Sequence, residues 1–279
     1  LNLKTKIEKA GKPLKDWDIN IYRGVVTGYN EAFIIDTPTK EAICKADPKS
    51  IEIIKPVLRG KDIHKYYYEW AGLWLISTFP SLHIDIDKYP AVKNYLSSFG
   101  KKLEQSGEKG CRKKTNNKWF ETQDNIAYYN EFNKDKIIWP DIAINANFSY
   151  DENQYYNEAT SFIMIGENLI YLLSTLNSKL FDFYFNMISP TLSNRANRLK
   201  KVYLEQFPVP VYKNSETSKE MEKLVKDILK IMPTNNNYQN QKNASSDISY
   251  YLNRIDSLVY KLYGLNEKDI KVITNALEK

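Results

Sequence analysis

The run Phe207-Pro208-Val209-Pro210 limits what this chain can fold into more than any other feature. Two prolines so close together fix φ and remove backbone donors, so neither a helix nor a central strand continues through them. The style of the sequence changes across this point. Before it, apolar runs of strand length alternate with short helical patterns, whereas after it every periodic segment has helical spacing. The chain therefore reads as a mixed α/β (α+β) domain over residues 18–212, followed by a helical C-terminal segment over 213–279. Residues 1–17 are basic (Lys4, Lys6, Lys9, Lys12 and Lys15 against Glu8) and read as a linker from an upstream region. Opening on Leu1 without a Met, the sequence reads as a fragment of something longer.

Within the first part, Gly24-Val25-Val26-Thr27 and Ala32-Phe33-Ile34-Ile35 flank a Gly/Asn turn, which predicts a hairpin or a tight strand–loop–strand unit. Further strands are expected at Val57-Leu58, at 73–76, 136–139 and 161–165, with short helices near 39–45 and 48–54. Pro90 opens a helix whose apolar residues are Val92, Tyr95, Leu96 and Phe99. Residues 169–187 predict one buried helix, too interrupted by Asn177, Lys179 and Asp182 to span a membrane. In the C-terminal part Thr217 and Glu220 form a capping box ahead of Met221, Leu224, Val225 and Ile228. A flexible link is expected over 234–246, then helices through Ile248 to Leu262 and through Ile270 to Leu277. Gly264 is placed to end the first of these.

Catalytic patterns are largely missing. No Gly-x-Gly and no Pro-Pro-aromatic block exists, so a methyl-donor cofactor loop is not expected here. Pro140-Asp141 matches half of a metal-dependent nuclease motif, but no acid-x-Lys follows within reach, and Asp269-Ile270-Lys271 lies far away. Cys44 and Cys111 fit neither a disulfide framework nor a zinc site and suit a reducing cytosol. His64 and His83 have no partner at ligand spacing.

Charge is concentrated. The chain carries a net +6, and residues 101–118 alone hold seven basic side chains against Glu104 and Glu108. This loop brings Arg112, Lys113, Lys114, Asn116, Asn117 and Lys118 together with Trp119 and Gln123. Lysine and arginine suit phosphates, while Arg, Asn and Gln can address base edges. A second cluster holds Asn194, Arg195, Arg198, Lys200 and Lys201, and a third is Arg59-Gly60-Lys61, where Gly60 would permit close approach to a phosphate. The aromatic run 66–68 suits sheet packing better than base stacking.

Several segments occur in a familiar order. Gly24-Val25-Val26-Thr27-Gly28-Tyr29-Asn30-Glu31-Ala32-Phe33 is followed by Lys55-Pro56-Val57-Leu58-Arg59-Gly60-Lys61, Tyr89-Pro90-Ala91-Val92 and Lys118-Trp119-Phe120-Glu121-Thr122-Gln123. Lys136-Ile137-Ile138-Trp139-Pro140, Leu176-Asn177-Ser178-Lys179-Leu180 and Phe207-Pro208-Val209-Pro210 come next. Together they resemble the TaqI-like C-terminal specificity domain. That resemblance implies a target recognition domain of a type IIG restriction–modification enzyme or adenine-N6 DNA methyltransferase, working in the bacterial cytoplasm. Its partners would be double-stranded DNA and upstream methyltransferase and nuclease domains of the same parent chain, with no membrane involved. S-adenosylmethionine and Mg2+ would serve the parent, and no cofactor or metal would bind this part. The expected DNA contacts are Thr27, Asn30, Arg59, Lys61, the 112–123 loop, Asn194, Arg195 and Arg198. The alternatives are a type I-like specificity subunit that recruits separate catalytic chains, and a self-contained nuclease using Asp141.

Overall fold

In a computed structural model, residues 2–190, 192, 196–232 and 241–278 are described, except for the side chains of 241–247. The strands β1 (Ile19–Arg23), β2 (Ile34–Asp36), β3 (Ile54–Leu58), β4 (Leu73–Ile76), β5 (Lys136–Pro140), β6 (Ser149–Asp151), β7 (Tyr156–Asn157) and β8 (Ser161–Gly166) form two four-stranded sheets. The first has the order β6-β5-β8-β1 and is antiparallel throughout. The second has the order β7-β3-β4-β2, with β7 and β3 parallel. A bridge between Val25 and Glu158 ties the ends of the two sheets together.

The first sheet is a wall between two cores. Side chains alternate across a strand, so Ile137 and Trp139 face one core while Ile138 faces the other. Phe162 and Met164 likewise share the side of Ile137, and Ile163 takes the opposite side. A sheet covered on both faces needs near-continuous apolar strands, and Lys136-Ile-Ile-Trp-Pro140 and Ser161-Phe-Ile-Met-Ile165 are such strands. Lys136 is the exception. It is fully buried and pairs with the equally buried Asp151 at 2.6 Å, with burial pulling its pKa down against that carboxylate.

One core lies between this wall and helices α1 (Leu3–Ala10), α4 (Leu169–Leu176), α5 (Lys179–Ile188), α6 (Glu216–Ile231), α7 (Gln241–Leu262) and α8 (Glu267–Leu277). The other lies between the wall, the second sheet and helices α2 (Thr37–Ala46) and α3 (Pro90–Ser97). Helix α6 buries Met221, Leu224, Val225 and Ile228, the 3- and 4-residue spacing of one helical face.

Several expectations are corrected. Residues 2–17 are not a free-standing tether: Ile7 and Leu14 are fully buried, and Lys12–Pro13 pairs antiparallel with Pro208–Val209. The Pro-Val-Pro run is therefore an edge strand, where missing donors are tolerated. Gly24 to Ile35 is no hairpin: β1 and β2 belong to different sheets, and a short helix at Asn30–Phe33 lies between them. The single helix over 169–187 is two, separated at Asn177, where Ser178 caps α5 by accepting from Phe181 N at 3.2 Å. Ser215, not Thr217, caps α6, while Glu220 accepts from Arg254 Nε at 2.7 Å. Helix α7 already includes residues 241–246 of the expected link, whose earlier part lies outside the described residues. The helices of the C-terminal segment pack into the first core. Among the described residues no helix is long and apolar enough to cross a membrane.

Candidate nucleic-acid interface

Thr27 is the hub from which the surface is built. Its Oγ1 donates to Asn30 Oδ1 at 2.6 Å and accepts from Tyr29 N at 3.1 Å. Its carbonyl accepts from Arg112 Nη1 at 2.9 Å and from Gln123 N at 3.2 Å. Gly28 stands in the left-handed region (φ +79°), and a Cβ there would come to 3.0 Å from both Arg112 Cδ and Gln123 Oε1. These contacts explain the Thr-Gly-x-Asn spacing: it fastens the basic loop to the start of the second core. Thr27 itself is 1% exposed, so it supports the surface and does not contact a ligand. Asn30 is exposed, with its Nδ2 donating to Glu158 Oε1 at 3.2 Å.

Arg112 is the main correction among the expected DNA contacts. It is 3% exposed, and its guanidinium donates to the carbonyls of Leu103, Thr27, Glu121 and Trp119 at 2.7–3.1 Å. Its ring-facing contact is Phe33, 5.1 Å away. Burial with no carboxylate beside it pushes its pKa down to about 10. Arg112 is the pin of the loop and has no hydrogen left for a phosphate. Asn117 is likewise occupied, its Nδ2 donating to the carbonyls of Thr122 and Gln123 at 3.2 and 2.9 Å. Around this rigid centre Lys101, Lys102, Lys109, Lys113, Lys114, Asn116 and Lys118 are exposed. Trp119 and Gln123 are half-buried, with Trp119 edge-on to Phe120.

On the other side of Asn30 a cleft of about 590 Å³ opens, lined by Asn30, Arg59, Lys61, His64, Asp141 and Glu158 among others. Arg59 forms a two-point pair with Asp62, Nε at 2.9 Å and Nη2 at 2.7 Å, and that hydrogen-bonded carboxylate raises its pKa. Gly60 does not serve a phosphate: a Cβ on it would lie 2.4 Å from Thr160 O, and its N–H donates to Thr160 Oγ1 at 2.9 Å. Lys61 is exposed. Asp141, the half-motif acid, pairs with Arg198 Nη1 at 3.3 Å. Among the described residues no three His, Cys, Asp or Glu side chains come together as a metal site would require. Asn194 and Arg195 lie outside the described residues.

The structure thus brings Asn30, Arg59 and Lys61 to one cleft, with Arg198 at its Asp141, and links them through Thr27 to the exposed lysines of the 101–118 loop. Sequence reasoning missed the segment 142–147, whose Ile142 and Asn147 also line the cleft. It carries no charge, so no signal in its composition marked it.

The fold is a mixed α/β domain with a helical buttress. Residues 55–209 match the model of the TaqI-like C-terminal specificity domain, and the chain belongs to that family. It is 26% identical over 273 residues to the Type II methyltransferase M.BstVI of Geobacillus stearothermophilus, covering 95% of this chain and 43% of that protein. The chain therefore spans under half the length of this relative. Among solved structures it resembles the Type IIL restriction-modification enzyme MmeI in complex with DNA, with a TM-score of 0.61 at 13% identity, over 96% of this chain and 36% of that one. It also resembles the type IIG restriction endonuclease BpuSI, with a TM-score of 0.51 at 15% identity, over 94% and 33%. At these identities the structural likenesses speak for the fold.

Proposed function

We propose that this chain reads the target sequence of a type II restriction–modification protein on double-stranded DNA. The observation that carries this reading is that Arg112 and Thr27 fasten the lysine-rich 101–118 loop to Asn30, which lines the cleft of Arg59 and Lys61. Cations along such a path suit the two phosphate backbones that border a groove. Within this reading, chemistry belongs to the rest of the parent, a site-specific adenine-N6 methyltransferase with endonuclease activity. S-adenosylmethionine and Mg2+ would be held there. The pairing of Asp141 with Arg198 speaks against a nuclease centre in this chain.

Titrating the affinity of the chain for duplex DNA against salt tests the reading. Binding through several lysines should weaken by orders of magnitude between about 50 and 200 mM salt, as bound counterions are released. An affinity that stays flat over that range, or no binding at low salt, overturns it.

A further inference from the structure

Residues 141–147, Asp-Ile-Ala-Ile-Asn-Ala-Asn, form a loop whose backbone is held at every second or third residue. Asp141 N donates to Thr160 O at 2.8 Å, and Asp141 O accepts from Leu199 N at 2.8 Å. Ala143 stands opposite Asn197 in an antiparallel pair, and Ala146 N donates to Asp182 Oδ1 at 2.6 Å. Ala143 and Ala146 point into the core, 8% and 1% exposed. Ile144 and Asn145 between them, and Ile142 before them, point outward. Ile142 is 48% exposed and Ile144 60% exposed. Asn145 is exposed and Asn147 half-buried, and among the described residues no hydrogen bond engages either side-chain amide. Elsewhere on this surface Asn30 and Asn117 are both occupied.

Two large apolar side chains on a braced loop are costly to leave in water, and the two amides beside them have donors and acceptors to offer a ligand. They are also uncharged, so they add nothing to a general attraction for phosphate. Ile142 and Asn147 line the same cleft as Arg59 and Lys61, beside Glu158 and Asp141, the latter paired with Arg198. A carboxamide matches the N6 donor and N7 acceptor of adenine at two points, and an aliphatic group meets the 5-methyl of thymine. We infer that the 142–147 loop is a base-reading element and that it recognises an adenine·thymine step through the major groove. This rests on the DNA-reading role proposed above. It adds a reading element to the 112–123 loop, where Arg112 and Asn117 are committed to main-chain carbonyls and only Asn116 and Gln123 keep their amides for bases. Holding the loop by its backbone fixes the four side chains before DNA arrives, as discrimination requires.

The experiment selects bound sequences from a randomised duplex library with the chain and with N145A, N147A and I142A/I144A. It then measures affinity for the selected duplex with deoxyuridine in place of thymine. The chain should select a motif containing an A·T pair. One or both Asn variants should lose roughly ten-fold of the discrimination at that pair, while affinity for random duplex, the control for folding, is retained. Removing the thymine methyl should weaken the parent but not I142A/I144A. Undiminished discrimination in every variant, or a motif without an A·T pair, overturns the inference and leaves the DNA-reading role intact. Failure of the parent to hold any duplex overturns both.

Discussion

Asn177 holds both main-chain polar groups of Phe148: its Nδ2 donates to Phe148 O at 2.8 Å and its Oδ1 accepts from Phe148 N at 3.1 Å. This contact joins the break between α4 and α5 to the end of the braced loop and explains why an amide interrupts an apolar run. Asn177 is 2% exposed, so water does not replace it. Asn177→Ala should destabilise the fold by about 2 kcal/mol, the cost of leaving two buried main-chain groups unpaired. Asn177→Asp keeps only the acceptor and should not rescue it. Denaturant midpoints of the two variants check this, and a midpoint unchanged in Asn177→Ala contradicts it.

Arg112 should prove structural. Arg112→Met leaves Leu103 O and Trp119 O without a donor and takes one of two donors from Thr27 O and Glu121 O, and should cost about 3 kcal/mol. Arg112→Lys supplies a single ammonium where a planar fork is needed and should recover little of that loss. Thermal unfolding is the readout. A variant that unfolds like the parent but binds DNA more weakly would return Arg112 to the interface.

Lys113 and Lys114 are exposed beside that pin and should act through charge alone. Lys113→Glu with Lys114→Glu should weaken binding to cognate and random duplex by a similar factor and flatten the salt dependence. A loss confined to the cognate sequence would instead make these lysines readers of bases.

Asp182 gives the fold a pH dependence. Burial raises its pKa to about 6, with Lys65 and the Ala146 N–H opposing the rise and Asp256 adding to it. An aspartate in the unfolded chain ionises near 4, so between about pH 4 and 6 the folded state keeps a proton that the unfolded state has released. The stability linked to this proton is fully present below about pH 4 and is lost as pH rises through about 6. Asp256, raised by burial, adds a change of the same sign. Asp182→Asn keeps an acceptor for Ala146 N without the charge. Its stability relative to the parent should rise steadily from pH 4 to pH 7, and a constant difference across that range contradicts the assignment.

Sequence periodicity exposed what is local. The amphipathic face of α6, the Pro90 start of α3 and the stop at Gly264 all follow from neighbours a few residues apart. It failed where partners are remote. Strand β1 finds its register against β8, with Tyr22 opposite Ile163, and no nearby residue signals that pairing. The same limit governed the candidate site. Arg112 sits in a run of cations and looks solvated, yet its acceptors include Thr27 O, which only the folded chain brings beside it. Ile142 to Asn147 look like an ordinary apolar stretch until Ala143 and Ala146 are seen to be the only members facing inward.

The antiparallel pair between Lys12–Pro13 and Pro208–Val209 makes a clasp. The polypeptide enters the two-sheet body and leaves it at one place, so everything between is a closed excursion from a fixed neck. Loops on that excursion can lengthen, shorten or change identity without shifting whatever is attached at the neck. On the DNA-reading role proposed above, such a body would take a new target by remodelling the loops far from this clasp while the pairing at its neck stays as it is.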